Sequence, residues 1–462
     1  MKQLIRPDVV RLTTPILVEQ ICINLLSIVS TIMAARLGPE AVSAVAMVES
    51  INAVIGSVFS ALGVGATVVV AQLLGRGEKT TAARATLQAL ISAGLIATVF
   101  ALLLITFRVP VLGYLFPGVD ADVMRNMQVY LAVTALSFPL SALTIVGCGA
   151  IRGAGDTAAT MKVNVLVNIV NVILSYSLIY GVDLPGTSGE KLVPAFGLLG
   201  AAYAIVFTRL IGVGYLFFAV LLKGDFLPPR ALCRYRFDTH LQAAIFSVGI
   251  PVSMESMIFN GGKLIVQIYI AGMGTAAIAA NFIAFSIASF INIPGAALAV
   301  ALTTLVATDA GRGDFSAARR TIWHVMRVGW IAMAIVGTIF FPLAPWLVAQ
   351  YSQDPAVIEL GALLVRMNCL FLVCYPTTFI LPNGFRGAGD ARFTVLTTFT
   401  GMLIFRLVLG YVLGVTLQFG IVGVWCGVIA DWFVRSLMYI VRLRGTKWQR
   451  TGLAIPPGEK EV

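Results

Sequence analysis

Two glutamates occupy matching places inside apolar stretches of the chain. Glu19 follows Pro15 by four residues, and Glu255 follows Pro251 by the same spacing. A carboxylate kept in a medium of low dielectric gains affinity for protons and can exchange a proton for a cation. This chemistry predicts ion coupling or substrate contact at both glutamates. The structural alternative is that each one caps a backbone group freed by the proline, or pairs with a neighbouring cation.

Other polar residues also lie inside apolar stretches, where ionisable groups are costly and by default mark pathways or coupling sites. Further candidates for contact with the coupling ion or substrate are Lys263, Asn281, Arg406 and Asp431, and weaker polar candidates are Ser30, Asn168, Asn171 and Ser175. Lys263 lies about two turns after Glu255 on a similar helix face. A buried ion-pair network remains open for Arg406 and Asp431, as do hydrogen bonds between helices for the asparagines.

The chain repeats itself in register. The residues Arg152-Gly153-Ala154-Gly155-Asp156 recur as Arg386-Gly387-Ala388-Gly389-Asp390. Glycine permits the positive φ of tight turns, so both segments are predicted loops. We expect them to be cytoplasmic and structural, with Arg152 and Asp156 holding the inner ends of neighbouring helices and Arg386 and Asp390 doing so in the second copy. A duplicated unit inside a very apolar chain is typical of secondary transporters, and it predicts a site between two halves.

The composition requires lipid as the solvent. Hydrophobic residues make up 59% of the chain and charged residues 11%, whereas roughly a quarter of a soluble domain is charged. A spanning helix needs roughly 20 apolar residues, and the runs are too long for barrel strands. The apolar stretches lie near 10–35, 44–73, 84–106, 127–150, 157–181, 195–222, 241–272, 276–308, 322–350, 357–383, 391–416 and 418–443. The predicted fold is an all-α polytopic membrane protein with 12 transmembrane helices in two six-helix lobes.

The basic residues set the predicted topology. With the connections assigned alternately from an inner N-terminus, the inner segments hold 22 Lys and Arg residues and the outer segments hold four. The positive-inside rule therefore places both termini in the cytoplasm, and an even number of helices gives both halves the same orientation. The predicted parts are an N-lobe at 1–222, a cytoplasmic linker at 223–240, a C-lobe at 241–445 and a cytoplasmic tail at 446–462.

Several functional classes find no support in the sequence. The basic residues follow the inner loops, which argues against nucleic acid as a partner. Two histidines cannot build a metal cluster. Gly75–Thr80 lacks the Gly-Lys-Ser/Thr order of a phosphate-binding loop, so neither a nucleotide nor a cofactor is expected and energy must come from a gradient. No catalytic motif indicates an enzyme.

The chain resembles the multidrug and toxic compound extrusion family over essentially its whole length. It shares with that family the number of spans, the two similar halves and the paired loops. The motifs that carry the resemblance are Pro15–Gly38, Gln72 with Gly75-Arg76-Gly77, both Arg-Gly-Ala-Gly-Asp loops, Ala279-Ala280-Asn281, Arg406, and Asp431-Trp432 followed by Trp448. The resemblance implies two lobes flanking a V-shaped cleft. It also implies a monomeric, rocker-type antiporter of the cytoplasmic membrane that exports cationic or amphipathic compounds in exchange for H⁺ or Na⁺.

The chain departs from the family at two positions. Many members carry an aspartate in a Val-Asp-Thr-x-Met pattern in the first helix, where this chain has Ser30, and a second aspartate in the fifth helix corresponds to Ser175. Serine does not titrate near neutral pH. This departure puts the usual cation site of the N-lobe in doubt and makes Glu255 and Glu19 the candidate coupling carboxylates.

Three alternatives remain open at this point. A flippase for a lipid-linked oligosaccharide shares the lobed architecture, although such proteins usually have more spans. A membrane-embedded enzyme would need convergent catalytic groups. A non-transporting scaffold or sensor is compatible with the two serines that replace carboxylates.

Overall fold

A computed structural model describes residues 7–35, 38–183, 191–218 and 237–449, and these residues are almost entirely helical. Within them, 11 helices are long and apolar enough to cross a membrane, or up to 12 if the pair Ala121–Leu136 and Phe138–Gly153, bent by 47°, is one span. The predicted all-α polytopic fold is confirmed.

The described residues form two compact units. The first unit comprises residues 18–35, 38–70, 79–183, 191–218 and 237–245, and the second unit comprises residues 7–17, 71–78 and 246–449. The lobe boundaries remain a prediction, and residues 223–236 of the predicted linker lie outside the described residues.

The chain up to residue 218 contains eight described helices and one short hairpin. The helices are α1 (Pro7–Ala35), α2 (Pro39–Gly75), α3 (Lys79–Thr106), α4 (Arg108–Leu115), α5 (Ala121–Leu136), α6 (Phe138–Gly153), α7 (Thr157–Tyr180) and α8 (Leu198–Tyr215). Strand β1 (Val182–Asp183) pairs antiparallel with β2 (Lys191–Val193). The apolar pattern did not predict α4, since this helix has only eight residues. Its Leu112 is nevertheless buried with Met127 and Leu131 in the core of the first unit.

The chain from residue 239 onward repeats this order with more irregular helices. The helices are α9 (Thr239–Ala271), α10 (Thr275–Ile291), α11 (Ile293–Gly311), α12 (Phe315–Ala349), α13 (Pro355–Phe371), α14 (Leu381–Gly387), α15 (Ala391–Thr400) and α16 (Gly420–Arg444). Wide π-helical turns occupy Pro376–Ile380, Gly401–Leu409 and Val412–Thr416. Such turns are rare and often lie at functional sites.

Two glycines 236 residues apart let the ends of α2 and α11 touch. A Cβ added at Gly75 would overlap the carbonyl oxygen of Thr308, and one added at Gly311 would overlap that of Gln72. Because Gln72 and Thr308 are also 236 residues apart, the contact is reciprocal between the two copies of the repeat. Gln72 Nε2 additionally donates to the carbonyl oxygen of Gly387 at 2.9 Å, which fixes the second Arg-Gly-Ala-Gly-Asp loop.

Candidate functional site

Glu255 on α9 is buried and is held by three side chains of the second unit. Arg386 Nη2, at the end of α14, lies 2.7 Å from Glu255 Oε2. Thr394 on α15 donates to the same oxygen at 2.8 Å, and Thr398 donates to Oε1 at 3.0 Å. One cation and two hydroxyls thus satisfy both oxygens of a carboxylate that lies within an apolar span.

Glu19 on α1 has a similar arrangement in the first unit. Arg152 Nη2 lies 2.6 Å from Glu19 Oε1, and Asn164 Nδ2 on α7 donates to the same oxygen at 2.9 Å. Glu19 is 1% exposed, and its Oε2 has no hydrogen-bond partner among the described residues. The two glutamates, placed alike by sequence, therefore have the same kind of partner.

The two clusters are copies of each other. Arg152 and Arg386 are 234 residues apart, and so are Asn164 and Thr398. The candidate coupling carboxylates and the predicted structural loops therefore meet in one site per unit. The arginine of each loop pairs with the glutamate. Pairing with a cation was the structural alternative for both glutamates, but the sequence did not identify the loop arginine as the partner.

The two loop aspartates have different partners. Asp156 Oδ1 accepts a hydrogen bond from the Ala159 backbone N–H at 2.9 Å and caps the start of α7. Asp390 Oδ2 instead accepts from Arg442 Nε at 2.8 Å and lies 2.8 Å from its Nη2, which ties the loop to the end of α16. Burial raises the pKa of the Asp390 carboxyl, while Arg442 opposes that shift.

A second polar cluster in the second unit is centred on Asp431. Arg406 Nη2 lies 3.1 Å from Asp431 Oδ2 and Arg435 Nη1 lies 3.8 Å from it, with all three residues buried. Phe259 on α9 makes cation–π contacts with two residues: its ring centre lies 4.7 Å from Lys263 Nζ and 5.1 Å from Arg406 Cζ. The ion-pair network considered for Arg406 and Asp431 is present, and Lys263 adjoins it through the aromatic ring.

A cavity of about 250 Å³ opens beside this cluster, within the second unit. Its lining residues are Lys263, Val266, Gln267, Asn281, Phe282, Phe285, Ser289, Arg406 and Val428. Asn281 Oδ1 accepts a hydrogen bond from Trp425 Nε1 at 3.1 Å, which orients the amide. Three of the candidates predicted from sequence, Lys263, Asn281 and Arg406, thus line one cavity.

The weaker candidates lie on α1 and α7 of the first unit. Asn168 donates to the backbone carbonyl of Asn164 at 2.7 Å, within its own helix. Asn171 is half-buried, Ser175 is buried, and the side chain of Ser30 lies outside the described residues. A mostly apolar cavity of about 450 Å³ is lined by other residues of the same two helices: Val29, Met33, Val172, Ile173, Tyr176, Ser177 and Tyr180.

Sequence reasoning missed the donors Asn164, Thr394 and Thr398. A usable signal existed for two of them, because Asn164 and Thr398 each lie eight residues after the aspartate of their loop. Among the described residues, no group of His, Cys, Asp and Glu side chains could hold a metal ion.

A duplicated, helical, membrane-spanning fold is typical of secondary transporters, and each unit here holds a buried glutamate–arginine pair. A family model described as MatE matches residues 15–177 and 251–412, once in each half of the chain. The chain belongs to this family, the multidrug and toxic compound extrusion transporters, as the sequence predicted.

Similar proteins cover almost the whole chain. The probable multidrug resistance protein NorM of Thermotoga maritima is 26% identical over 99% of this chain and 96% of its own length. The multidrug resistance protein PmpM of Pseudomonas aeruginosa is 26% identical over 94% of this chain and 90% of its own. Among solved structures, that of MATE in complex with MaD3S shares the fold with a TM-score of 0.87, at 20% identity and covering 96% of this chain and 97% of that one.

Proposed function

We propose that the protein is a secondary antiporter that exports cationic or amphipathic small organic compounds across the cytoplasmic membrane in exchange for H⁺ or Na⁺. Relatives named as multidrug resistance proteins support the substrate class. In this proposal the protein is a monomer with both termini in the cytoplasm, and it uses neither a nucleotide nor a resident cofactor.

The environment of Glu255 is the observation that best supports a role for this residue in ion coupling. Its carboxylate lies in a helix with an internal proline, Pro251, one turn earlier, and it bonds Arg386, Thr394 and Thr398 from two other helices. A proton or Na⁺ that binds the carboxylate competes directly with Arg386. Ion binding would therefore loosen α9 from α14 and α15, which is a local change suited to alternating access.

Exchange then follows from linkage between two binding events. If the ion and the organic compound favour opposite conformations, each lowers the affinity for the other by the same factor. Glu19 provides a second, less completely bonded copy of the carboxylate site. Ser30 and Ser175 cannot supply a titrating group near neutral pH, so the proposal assigns coupling to the two glutamates.

Transport into everted membrane vesicles tests this function. The dyes are rhodamine B, a zwitterion with a carboxylate, and its ethyl ester, a cation with the same ring system. A pH gradient and a Na⁺ gradient are imposed separately. We expect one gradient to drive uptake of at least one dye. Uptake that is unaffected by either gradient, or no uptake at all beside an active control transporter, would refute the antiport proposal.

A further inference from the structure

The cavity of the second unit carries more positive than negative charge. Arg406 and Arg435 adjoin one carboxylate, Asp431. Lys263 lines the cavity with Arg406 and takes part in no ion pair among the described residues. Glu255 also interacts electrostatically with Arg435, but it brings its own cation, Arg386, so that counting this pair leaves the balance unchanged. A surplus of two positive charges thus remains at a site within apolar spans, where uncompensated charge is costly.

Arg406 also has an unused hydrogen-bond donor. The residue is 3% exposed, and its buried Nε bonds no acceptor among the described residues. Buried guanidinium groups normally satisfy their donors, and those at binding sites do so with carboxylates or phosphates. No acidic residue lines the cavity. The one carboxylate near Arg406, that of Asp431, lies 3.1 Å from its Nη2 and is not among the lining residues.

We infer that this cavity binds an anionic group, a carboxylate or a similar acid, at one end of an aromatic amphipathic compound. Lys263 and Arg406 would provide the charge. Because Asn281 Oδ1 is occupied by Trp425, the Asn281 NH₂ group remains as a neutral donor. The inference rests on the proposed export function and narrows its substrate class to compounds that carry an acid.

The remaining lining residues favour a soluble aromatic acid over a membrane lipid. Phe282 and Phe285 line the cavity and give it aromatic surface, which suits an aromatic body. The volume of about 250 Å³ is slightly below the ~300–1,000 Å³ of pockets that enclose a whole drug-sized molecule. It accommodates an acid and an adjoining ring but not two acyl chains.

Equilibrium binding of the two rhodamines to the purified protein in phosphatidylcholine nanodiscs tests the inference, with dye anisotropy as the readout. Loss of one charge-assisted contact lowers affinity by about tenfold or more, so rhodamine B should bind about tenfold more tightly than its ethyl ester. Lys263→Gln should bring the ratio of the two affinities close to one, and Lys263→Glu should favour the ester. Lys79→Gln, at an exposed lysine in the first unit, should leave the ratio unchanged.

The ratio is measured within each variant, so partial loss of folded protein does not affect it. Equal binding of acid and ester by the unchanged protein, or a ratio that survives Lys263→Gln, would overturn the inference. Displacement of rhodamine B by phosphatidylglycerol in the discs, abolished by Lys263→Gln, would assign the anion to a lipid headgroup and also overturn it. No gradient is present, so selective binding without vesicle transport would refute the antiport proposal alone.

Discussion

Glu255 and Glu19 differ in how completely their oxygens are bonded. Both oxygens of Glu255 accept bonds, whereas Glu19 Oε2 is buried and has no partner among the described residues. An unsatisfied buried oxygen costs about 1–3 kcal/mol. Glu255 is therefore the more completely bonded carboxylate, and we expect mutation of Glu255 to have a larger effect than mutation of Glu19.

Glu255→Gln should retain the fold while losing gradient-driven export by at least about tenfold, because the amide is nearly isosteric but cannot exchange a proton or bind Na⁺ as a carboxylate does. Dye uptake into vesicles under an imposed gradient is the measurement. Glu19→Gln should lose less. Glu359→Gln, at an exposed position on α13, is the control. Unchanged gradient dependence in Glu255→Gln would make this carboxylate structural.

Residue pairing was predictable only in part. The repeat placed Glu19 and Glu255 correctly at equivalent positions, because equal spacing from a proline in equivalent helices fixes the face of the helix. It did not reveal Arg152 and Arg386 as their partners, since a loop arginine can reach in several directions. The neutral donors were missed because an asparagine in one copy corresponds to a threonine in the other.

At the scale of whole elements, the close contact between α2 and α11 depends on glycine. The apolar spans themselves were predicted from hydropathy, which marks where a helix lies in lipid. Hydropathy carries no information on irregular turns, so the π-helical segments between 376 and 416 and the short helix α4 emerged only in the structure.

Gly311→Ala should destabilise the protein by about 1–3 kcal/mol, the usual cost of overpacking, because the new methyl group meets the backbone oxygen of Gln72. Gly261→Ala is the matched control, since nothing lies within 4 Å of its added Cβ and alanine favours a helix by about 0.5–1 kcal/mol. Thermal unfolding in detergent compares the two. Equal melting temperatures for Gly311→Ala and Gly261→Ala would show that the ends of α2 and α11 can move apart without loss of stability.

At the scale of the whole molecule, the repeat found in the sequence agrees with the family assignment. The MatE model matches once in each half, and each described unit contains one glutamate–arginine pair. The orientation in the membrane remains a prediction from the distribution of Lys and Arg.

Single cysteines test this orientation in a chain whose native cysteines are replaced by serine. Lys79→Cys and Arg320→Cys lie at exposed positions near predicted inner loops, and Gln353→Cys lies at an exposed outer one. A membrane-impermeant maleimide added to intact cells should label only Gln353→Cys. Everted vesicles should give the opposite pattern. External labelling at position 79 or 320 would reverse the topology.

The π-helical segment Gly401–Leu409 has a further consequence for Arg406, which it contains. A wide turn holds one residue more than an α-helical turn, and moving that residue along the helix rotates the side chains it passes by about 100°. Such a register shift would turn the Arg406 side chain away from Asp431 and break their ion pair without unwinding the helix. The segment would then alternate between two helical registers. Its backbone amides should therefore exchange hydrogen faster than those of the neighbouring α16.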